Sequence, residues 1–501
     1  MDLKDKIMAL NTIIWRFDGY DDSLQEILAL EAKEIINVKQ HFVLQDTFRK
    51  LFKDAEYVSC HLHHRPLEEL KVESVDYKLL QKMRKDLINF LTVSDRSFSD
   101  QYSFDSMILS KVNMHAEMHF YSIVISYFAN LIRKKEIELV LFDEVPHYPG
   151  SYALYLVAKA MNIKTIIFSQ TMFNDKTFCV HNIEDIGDLI NKNPDLSEIS
   201  AKQINKTFKK ELYYMGERRD DKFKDYLNLL SCNVVNMRTF KIIFNRFKTF
   251  LLSKSRVSNN RSGVDKVRFA NDVSLIKDML RIFQGMRYKK DFYKRAYTAY
   301  QALAQKAYDK DVNFVYFSLH YQPEATTVPM GGEYMDQAKA LEDLASILPD
   351  DYYIYVKEHP NSFGGLRSEN FYLRLSNIPN LVLLDSSVSN YDLLANAKII
   401  ATITGTVGFE AISGGKPVIT FGYSWYNNLP GVYRFCATLD ISEVINCKID
   451  HNELEEEFAK VSAKLGDFAP FWGLFKEHYP KDIDRKQNTK KFVAAIEKML
   501  I

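Results

Sequence analysis

Two segments decide the fold class: YVKEHPNSF at 355–363 and ITGTVGFEAISGGKPVITFG at 403–422. Each continues an apolar run that is typical of a buried strand and turns polar where that strand ends. In open α/β sheets, ligands bind beyond the carboxyl ends of the strands. The two segments therefore predict neighbouring parallel strands whose carboxyl ends share one binding site.

The turn Thr404-Gly405-Thr406 leads directly into a helix predicted over 407–413. A helix start presents free backbone N–H groups and a positive dipole end, which together suit a phosphate. Gly405 allows a close approach of the backbone, and Glu410 can accept hydrogen bonds from ribose hydroxyls. The turn thus predicts a nucleotide site. The alternative is an ordinary helix with Thr406 as its N-cap.

The other segment places Lys357, Glu358 and His359 before Pro360. Pro360 disfavours helical backbone at His359, so the imidazole is held at the strand end, where it can donate to a phosphate. We expect Lys357, His359 and Pro360 to belong to the nucleotide site. The alternative is a loop histidine beside a solvated Lys357–Glu358 pair.

Short strands alternate with helical patterns through the second half of the chain. Strands are predicted at 313–319, 352–357, 380–385, 398–403 and 417–421, and the clearest helix at 333–348. Such alternation is typical of βαβ units, and near-continuous apolar strands indicate a parallel sheet covered on both faces. This half is predicted to be a Rossmann-like domain.

The first half contains one clear βαβ unit, with a strand at 137–143, a helix at 150–162 and a strand at 163–169. Weaker strand candidates lie upstream at 34–44 and 55–62. Two Rossmann-like halves without a GxGxxG fingerprint suggest a two-lobed enzyme with a cleft between its lobes.

Asp143, Glu144 and His147 follow the first strand of this unit and are the candidate catalytic residues. A carboxylate across the cleft from the nucleotide could act as a general base or a nucleophile. If the backbone is extended, at most one of the two adjacent carboxylates faces a given reacting atom. The alternative is that one of them caps the next helix.

Further polar side chains at strand ends are candidates for substrate binding. Ser169 and Gln170 end the last strand of the βαβ unit, whereas His320, Gln322 and Glu324 lie in the loop after the strand at 313–319. A loop this long between a strand and a helix tends to be functional.

Composition narrows the class of protein. A chain of 501 residues is long enough for two domains, and a formal net charge of +1 argues against bulk nucleic acid as a partner. Five unclustered cysteines suit a reducing cytoplasm. We expect no secretory signal at the N-terminus and see no apolar run of the roughly 18 residues that span a bilayer.

The segment at about 180–300 is lysine-rich and predicted to be a helical insertion. Its part 237–268 carries nine Lys or Arg against one Asp, so it could contact an anionic membrane face or glycan; a solvated insertion is the alternative. The histidine-rich CHLHHRP at 60–66 lacks a second ligand pair, and no metal site is predicted.

These patterns give the domain organisation. We predict an N-terminal Rossmann-like acceptor domain over 1–300 that includes the insertion, a C-terminal Rossmann-like nucleotide-sugar-binding domain over 301–482, and a C-terminal helix over 483–501. The fold class is α/β, with two domains facing a cleft.

Four segments together resemble a known family: FDEVPHYPGSYALYLVAKA at 142–160, LHYQPEATTVPMGGEY at 319–334, YVKEHP at 355–360 and TGTVGFEAISGGKPVITFG at 404–422. They are similar to bacterial capsular and surface-polysaccharide biosynthesis proteins of the Kdo-transferase-like kind, which are GT-B glycosyltransferases. The resemblance extends over about 310–425 and 137–172.

The resemblance implies transfer of Kdo or a related acidic sugar from a CMP-activated donor to a bacterial glycan or glycolipid. By position, His359 and the Thr404-Gly405-Thr406 turn would bind the CMP phosphate, Glu410 the ribose, and Asp143 or Glu144 would be the catalytic carboxylate. No cofactor or metal is implied, because the CMP-sugar is a co-substrate. The location predicted from composition is cytoplasmic, and 237–268 could add peripheral contact with the inner membrane.

Three alternatives stay open. The chain could be a UDP-sugar 2-epimerase-like enzyme, a UDP-sugar-dependent GT-B transferase, or a non-catalytic component of a polysaccharide assembly complex that has kept the fold.

Overall fold

The computed structural model describes residues 9–17, 25–43, 52, 54–59, 72, 75–83, 85–86, 114–173, 176–197, 294–322, 324–359, 367–469 and 484–501. The histidine-rich segment at 60–66, the basic stretch 237–268 and Pro360 lie outside these residues, as does most of the predicted helical insertion.

The first lobe is built on a six-stranded sheet. Its strands are β1 (Leu10–Trp15), β2 (Ile36–Val43), β3 (Glu56–Ser59), β4 (Leu139–Phe142), β5 (Lys164–Gln170) and β6 (Thr177–Val180). The spatial order is β3-β2-β1-β4-β5-β6, and β6 alone among these pairs antiparallel to its neighbour.

The second lobe repeats this arrangement. Its strands are β7 (Asn313–Ser318), β8 (Tyr352–Lys357), β9 (Leu381–Leu384), β10 (Ile399–Thr402), β11 (Val418–Thr420) and β12 (Val432–Arg434). The order is β12-β11-β10-β7-β8-β9, and these strands pair in parallel.

Each sheet places its first strand beside its fourth, which is the strand order of dinucleotide-binding Rossmann domains. The predicted α/β fold class with two Rossmann-like domains is confirmed. The direction in which successive strands are added to the sheet reverses between β1 and β4 in one lobe and between β7 and β10 in the other. Connections leave these strand pairs to opposite sides, so a crevice opens at their carboxyl ends.

Helices cover the sheets. They are α1 (Gln25–Ala32), α2 (Tyr77–Lys82), α3 (Met114–Lys134), α4 (Pro149–Ala160), α5 (Leu189–Lys192), α6 (294–303), α7 (Gln337–Ile347), α8 (Glu369–Ser376), α9 (Asn390–Asn396), α10 (Thr406–Ser413), α11 (Ile441–Ile445), α12 (His451–Ala463) and α13 (Arg485–Leu500), with 3₁₀ turns at Ile183–Asp188 and Gly332–Met335. Within the described residues, no helix is long and apolar enough to cross a membrane.

One helix boundary differs from the prediction for a local reason. The helix expected over 333–348 divides at Asp336, whose carboxylate accepts from the backbone N–H of Ala338 at 3.1 Å and caps α7. The residues before it form the 3₁₀ turn instead. An aspartate is a strong N-cap, and that preference outweighs the continuous helical pattern.

The two lobes are packed against each other. One cluster of buried apolar side chains runs from the first sheet, through Phe142, to the second, through Phe314 and Ile400. The C-terminal helix α13 crosses back to the first lobe, where Phe492 stacks on Phe168 of β5 with ring centroids 5.5 Å apart. The chain therefore begins and ends its described course in the same lobe.

Candidate nucleotide and catalytic site

In the first lobe, one arginine contacts both predicted catalytic carboxylates. Arg16 follows β1, and Asp143 and Glu144 follow its neighbour β4. The Arg16 Nε atom lies 3.4 Å from Asp143 Oδ2, and Arg16 Nη1 donates to Glu144 Oε1. Alternation predicted the carboxylates on opposite sides, but β4 ends at Phe142 and both residues lie in a bend, which lets them converge.

Arg16 itself was missed by the sequence analysis. Arg16 and Phe17 both have φ of 67°, a left-handed conformation that costs of order 1–3 kcal/mol per non-glycine residue. Two contacts hold this backbone: Arg16 N donates to Phe42 O at 2.8 Å, and His41 Nε2 donates to Arg16 O at 2.7 Å. Burial lowers the pKa of His41 to about 4, so the ring is neutral. Recognition of β1 would have placed Arg16 at a strand end.

Asp143 is 3% exposed, whereas the side chain of Glu144 is 25% exposed. Burial raises the pKa of Asp143 to about 7, against the opposing charge of Arg16 and with a further contribution from Glu144. A carboxyl that titrates near neutral pH can exchange a proton with a reacting group. The more exposed Glu144 can reach a ligand directly.

His147 stands at the entrance to α4. Its Nδ1–H donates to Val145 O at 2.6 Å, and its Nε2 lies 3.8 Å from Glu144 Oε1. The N-cap of α4 is Tyr148, whose backbone N–H donates to Ser151 Oγ at 3.2 Å. The alternative that Asp143 or Glu144 caps this helix is therefore wrong, and the three predicted catalytic residues share one corner of the lobe.

In the second lobe, the Thr404-Gly405-Thr406 turn begins α10 as predicted, but Gly405 rather than Thr406 is the N-cap. Gly405 N donates to Thr402 Oγ1 at 3.1 Å, and Thr402 Oγ1 lies 2.8 Å from His320 Nε2. A Cβ at Gly405 would lie 2.8 Å from Thr402 Oγ1, so only glycine fits. Thr406 is exposed at the helix start, where the first N–H groups have no intrahelical partner.

His320 supports this turn from beneath. It is 9% exposed, and its Nε2 atom is hydrogen-bonded to the Thr402 hydroxyl. Burial lowers the pKa of His320 to about 3, with the charges of Arg367 and His359 adding to the effect. The imidazole is thus neutral and can accept from Thr402 while Thr402 accepts from Gly405. Its position is that of a support for the turn.

A buried ion pair holds the end of β8. Arg367 Nε lies 2.6 Å from Glu358 Oε2, and both side chains are almost fully buried, at 3% and 0% exposed. Glu358 Oε1 accepts from the backbone N–H of His359 at 2.9 Å, and Arg367 Nη2 donates to His320 O at 2.7 Å. Tyr372 donates to the same carboxylate at 3.1 Å.

This pair excludes the alternative of a solvated Lys357–Glu358 pair. Lys357 is 3% exposed, and its ammonium donates to Val388 O. His359 is partly exposed and packs against Tyr321, with ring centroids 5.8 Å apart. Of Lys357, Glu358 and His359, only His359 is thus partly exposed.

The other candidates occupy varied places. Glu410 is partly buried on α10, and its charge adds to burial in raising the pKa of Tyr316 and Tyr426. Gln322 links Met335 O to Arg367, and Glu324 begins the turn at 324–331 through its carbonyl. Ser169 and Gln170 end β5 opposite β6. Thr404 donates to Thr326 O.

Among the described residues, no group of three His, Cys, Asp or Glu is placed to hold a metal ion.

The first prediction concerns the buried ion pair. Glu358→Gln should lower the free energy of unfolding by about 3–5 kcal/mol, because it leaves the Arg367 guanidinium buried without its counter-charge. Denaturant unfolding measures this. Arg374→Met is the matched control: its pairs with Glu342 and Asp336 are about 40% exposed and should contribute no more than about 1 kcal/mol. Equal losses in both variants would contradict the prediction.

The second prediction concerns Asp143. Between its ordinary pKa of 3.8 and about 7, the folded state binds the proton more tightly than the unfolded state. The stabilisation is fully present below the ordinary pKa and is lost as pH rises through the folded pKa. Relative to Asp143→Asn, the wild type should therefore lose about 1.4 kcal/mol per pH unit in this window and nothing above it. Denaturant unfolding at a series of pH values measures the difference; a difference independent of pH contradicts it.

Three comparisons place the chain among known proteins. Residues 269–434 match the family model described as capsule polysaccharide biosynthesis protein. A stretch of 73 residues is 34% identical to the capsule polysaccharide modification protein LipA of Neisseria meningitidis serogroup B, covering 15% of this chain and 10% of that protein. The chain thus aligns with only a small part of its curated relatives.

Solved structures give weaker similarities. A β-Kdo 2,7 transferase, KpsC of Thermosulfurimonas dismutans, is 12% identical with a TM-score of 0.27, over 67% of this chain and 79% of that chain. UDP-GlcNAc 2-epimerase of Methanocaldococcus jannaschii is 11% identical with a TM-score of 0.23, over 90% and 98%. TM-scores this low do not establish a shared fold or activity. The resemblance to capsule polysaccharide biosynthesis proteins that the motifs predicted is nevertheless confirmed by sequence over residues 269–434.

Proposed function

We propose that the chain is a glycosyltransferase of bacterial capsule or lipopolysaccharide synthesis, which moves Kdo or a related acidic sugar from a CMP-activated donor to a glycan or glycolipid. The observation that carries the proposal is the Gly405 helix start, within the part of the chain that matches the capsule family model. Hydrogen bonds link this helix start to the backbone of His359 through Thr402, His320, Arg367 and Glu358. The phosphate would meet the exposed N–H groups of α10, and His359 would donate to it.

The roles follow from position. Glu410, one turn along α10 from Thr406, would accept from the ribose. Asp143 and Glu144 would serve the reacting sugar: a buried carboxyl that titrates near neutral pH suits general acid–base work, and the accessible carboxylate suits attack at the anomeric carbon. Arg16 would hold both carboxylates in place.

The third prediction tests the donor. Thermal unfolding is measured with CMP, CDP, UMP, UDP and GDP on the wild type, on His359→Ala and on His119→Ala, whose histidine is exposed on α3. At about 100 times its dissociation constant, a ligand adds about 2.7 kcal/mol. We expect CMP to stabilise the wild type and His119→Ala, and to lose most of this effect on His359→Ala.

The other outcomes separate the alternatives. Stabilisation by UDP instead of CMP would favour a UDP-sugar transferase or a UDP-sugar epimerase. Equal stabilisation of both histidine variants by CMP would remove His359 from the site. No response to any nucleotide would favour a non-catalytic assembly component.

The fourth prediction tests catalysis. In cells that depend on this chain for surface polysaccharide, Asp143→Asn and Glu144→Gln should each reduce polymer by orders of magnitude, because each removes a group that acts in the transition state. Polymer amount is measured together with the level of folded protein. Normal polymer from both variants is the result expected of a scaffold.

A further inference from the structure

A cavity of about 360 Å³ lies between the lobes, to one side of the two strand ends. Its first-lobe wall is formed by α4, the end of α2 and the 3₁₀ turn at Ile183–Asp188, and its second-lobe wall by 329–335 and Tyr423. The candidate catalytic residues and His359 do not belong to its lining. Its volume is at the lower end of the range for small-molecule sites.

Tyrosines line the cavity on both sides. Tyr152 and Tyr155 come from α4 and are only 5% and 3% exposed, whereas Tyr423, in the loop after β11, is partly exposed. The Tyr155 hydroxyl donates to Glu184 Oε2 at 3.1 Å and accepts from Ile183 N at 3.3 Å, which fixes the ring. Tyrosine offers a flat apolar face with a polar edge, a surface that suits a ligand with both apolar and hydroxylated sides.

The charged groups of the lining balance. Lys82 and Lys159 oppose Asp86 and Glu184, with Lys159 paired to Glu184 and Lys82 donating to Ala160 O. Burial raises the pKa of Asp86, an effect that Lys159 opposes and Glu184 increases. Such a wall offers many donors and acceptors but no net attraction for an anion. It suits a neutral polyol better than a nucleotide phosphate.

The cavity is connected to the candidate active site by α4. This helix begins beside His147 and reaches the far end of the cavity at Ala160, about 15 Å along its axis. On the other side, Gly422 packs between Thr404 and the 329–335 loop: a Cβ there would lie 2.6 Å from Thr404 Cγ2 and 2.7 Å from Met330 O. The loop that walls the cavity therefore also backs the nucleotide turn.

We propose that this cavity binds one neutral sugar unit. In the proposed transferase, that unit belongs to the acceptor glycan and lies away from its reacting end, so that the cavity holds the growing chain while its terminus meets Asp143 and Glu144. The identity of the glycan rests on the proposed function, whereas the binding of a neutral sugar rests on the cavity alone.

The test uses the full chain and methyl glycosides of glucose, galactose, N-acetylglucosamine and N-acetylgalactosamine, with Kdo and CMP as anionic probes. Binding is measured by saturation-transfer NMR and titration. Ala160→Phe fills the cavity from the end of α4 without deleting a side-chain contact, and Ala494→Phe, on the exposed face of α13, is the matched control.

We expect at least one neutral glycoside to bind the wild type and Ala494→Phe, and its affinity to fall by roughly tenfold or more in Ala160→Phe, a loss of about 1.4 kcal/mol. Stabilisation by CMP should survive in Ala160→Phe. Failure of every neutral glycoside to bind, or equal binding to Ala160→Phe, overturns the proposal; so does selective loss of Kdo or CMP in that variant. Glycoside binding without any nucleotide response would instead contradict the proposed function and leave the sugar site standing.

Discussion

The buried Glu358–Arg367 ion pair is the interaction on which the second-lobe site depends. The carboxylate fixes the backbone of His359 at the end of β8, and the guanidinium reaches the carbonyl of His320 after β7. The Thr402 hydroxyl in turn donates to His320 Nε2 and accepts from the backbone N–H of Gly405 at the start of α10. Three strand ends are thus joined by one hydrogen-bonded chain. A buried pair of this kind is costly to desolvate, so its value lies in the geometry it imposes.

The first lobe has its polar cluster at the equivalent position of its own sheet. Both sheets have the order that sets their first strand beside their fourth, and in both the polar chemistry lies where that pair diverges. There the first lobe uses a charged cluster, Arg16 with Asp143 and Glu144, whereas the second uses neutral His320 and Thr402 beneath the turn. The difference fits the division of roles that we propose: proton exchange in one lobe and phosphate binding by backbone N–H groups in the other.

The two lobes also contact each other through a group of aromatic side chains. Phe173, in the loop after β5, packs against Trp425 and Phe458, with ring centroids 5.8 and 5.9 Å apart, and against Phe409 of α10. Lys176 and Asp467 add a largely buried ion pair at 2.8 Å beside it. Because α10 is the helix that would bind the phosphate, a change in how the lobes pack would alter the geometry of the proposed nucleotide site.

The sequence predicted the class of fold, the strands at 352–357 and 398–403, and a helix that follows the 404–406 turn. It treated the two strands as neighbours, whereas β7 lies between them. The strand and helix predictions depend on local signals: apolar runs of strand length, a glycine turn, and a proline that restrains the residue before it. It did not reveal β1, a six-residue strand next to a charged segment, and therefore missed Arg16. Only the packing of the lobes shows which of these side chains are accessible. The sequence suggested Lys357 for the nucleotide site, with a solvated Lys357–Glu358 pair as the alternative. Both side chains are instead buried, because their partners Val388 and Arg367 come from other parts of the chain. Burial and long-range pairing are properties of the packed lobes, and no local pattern encodes them.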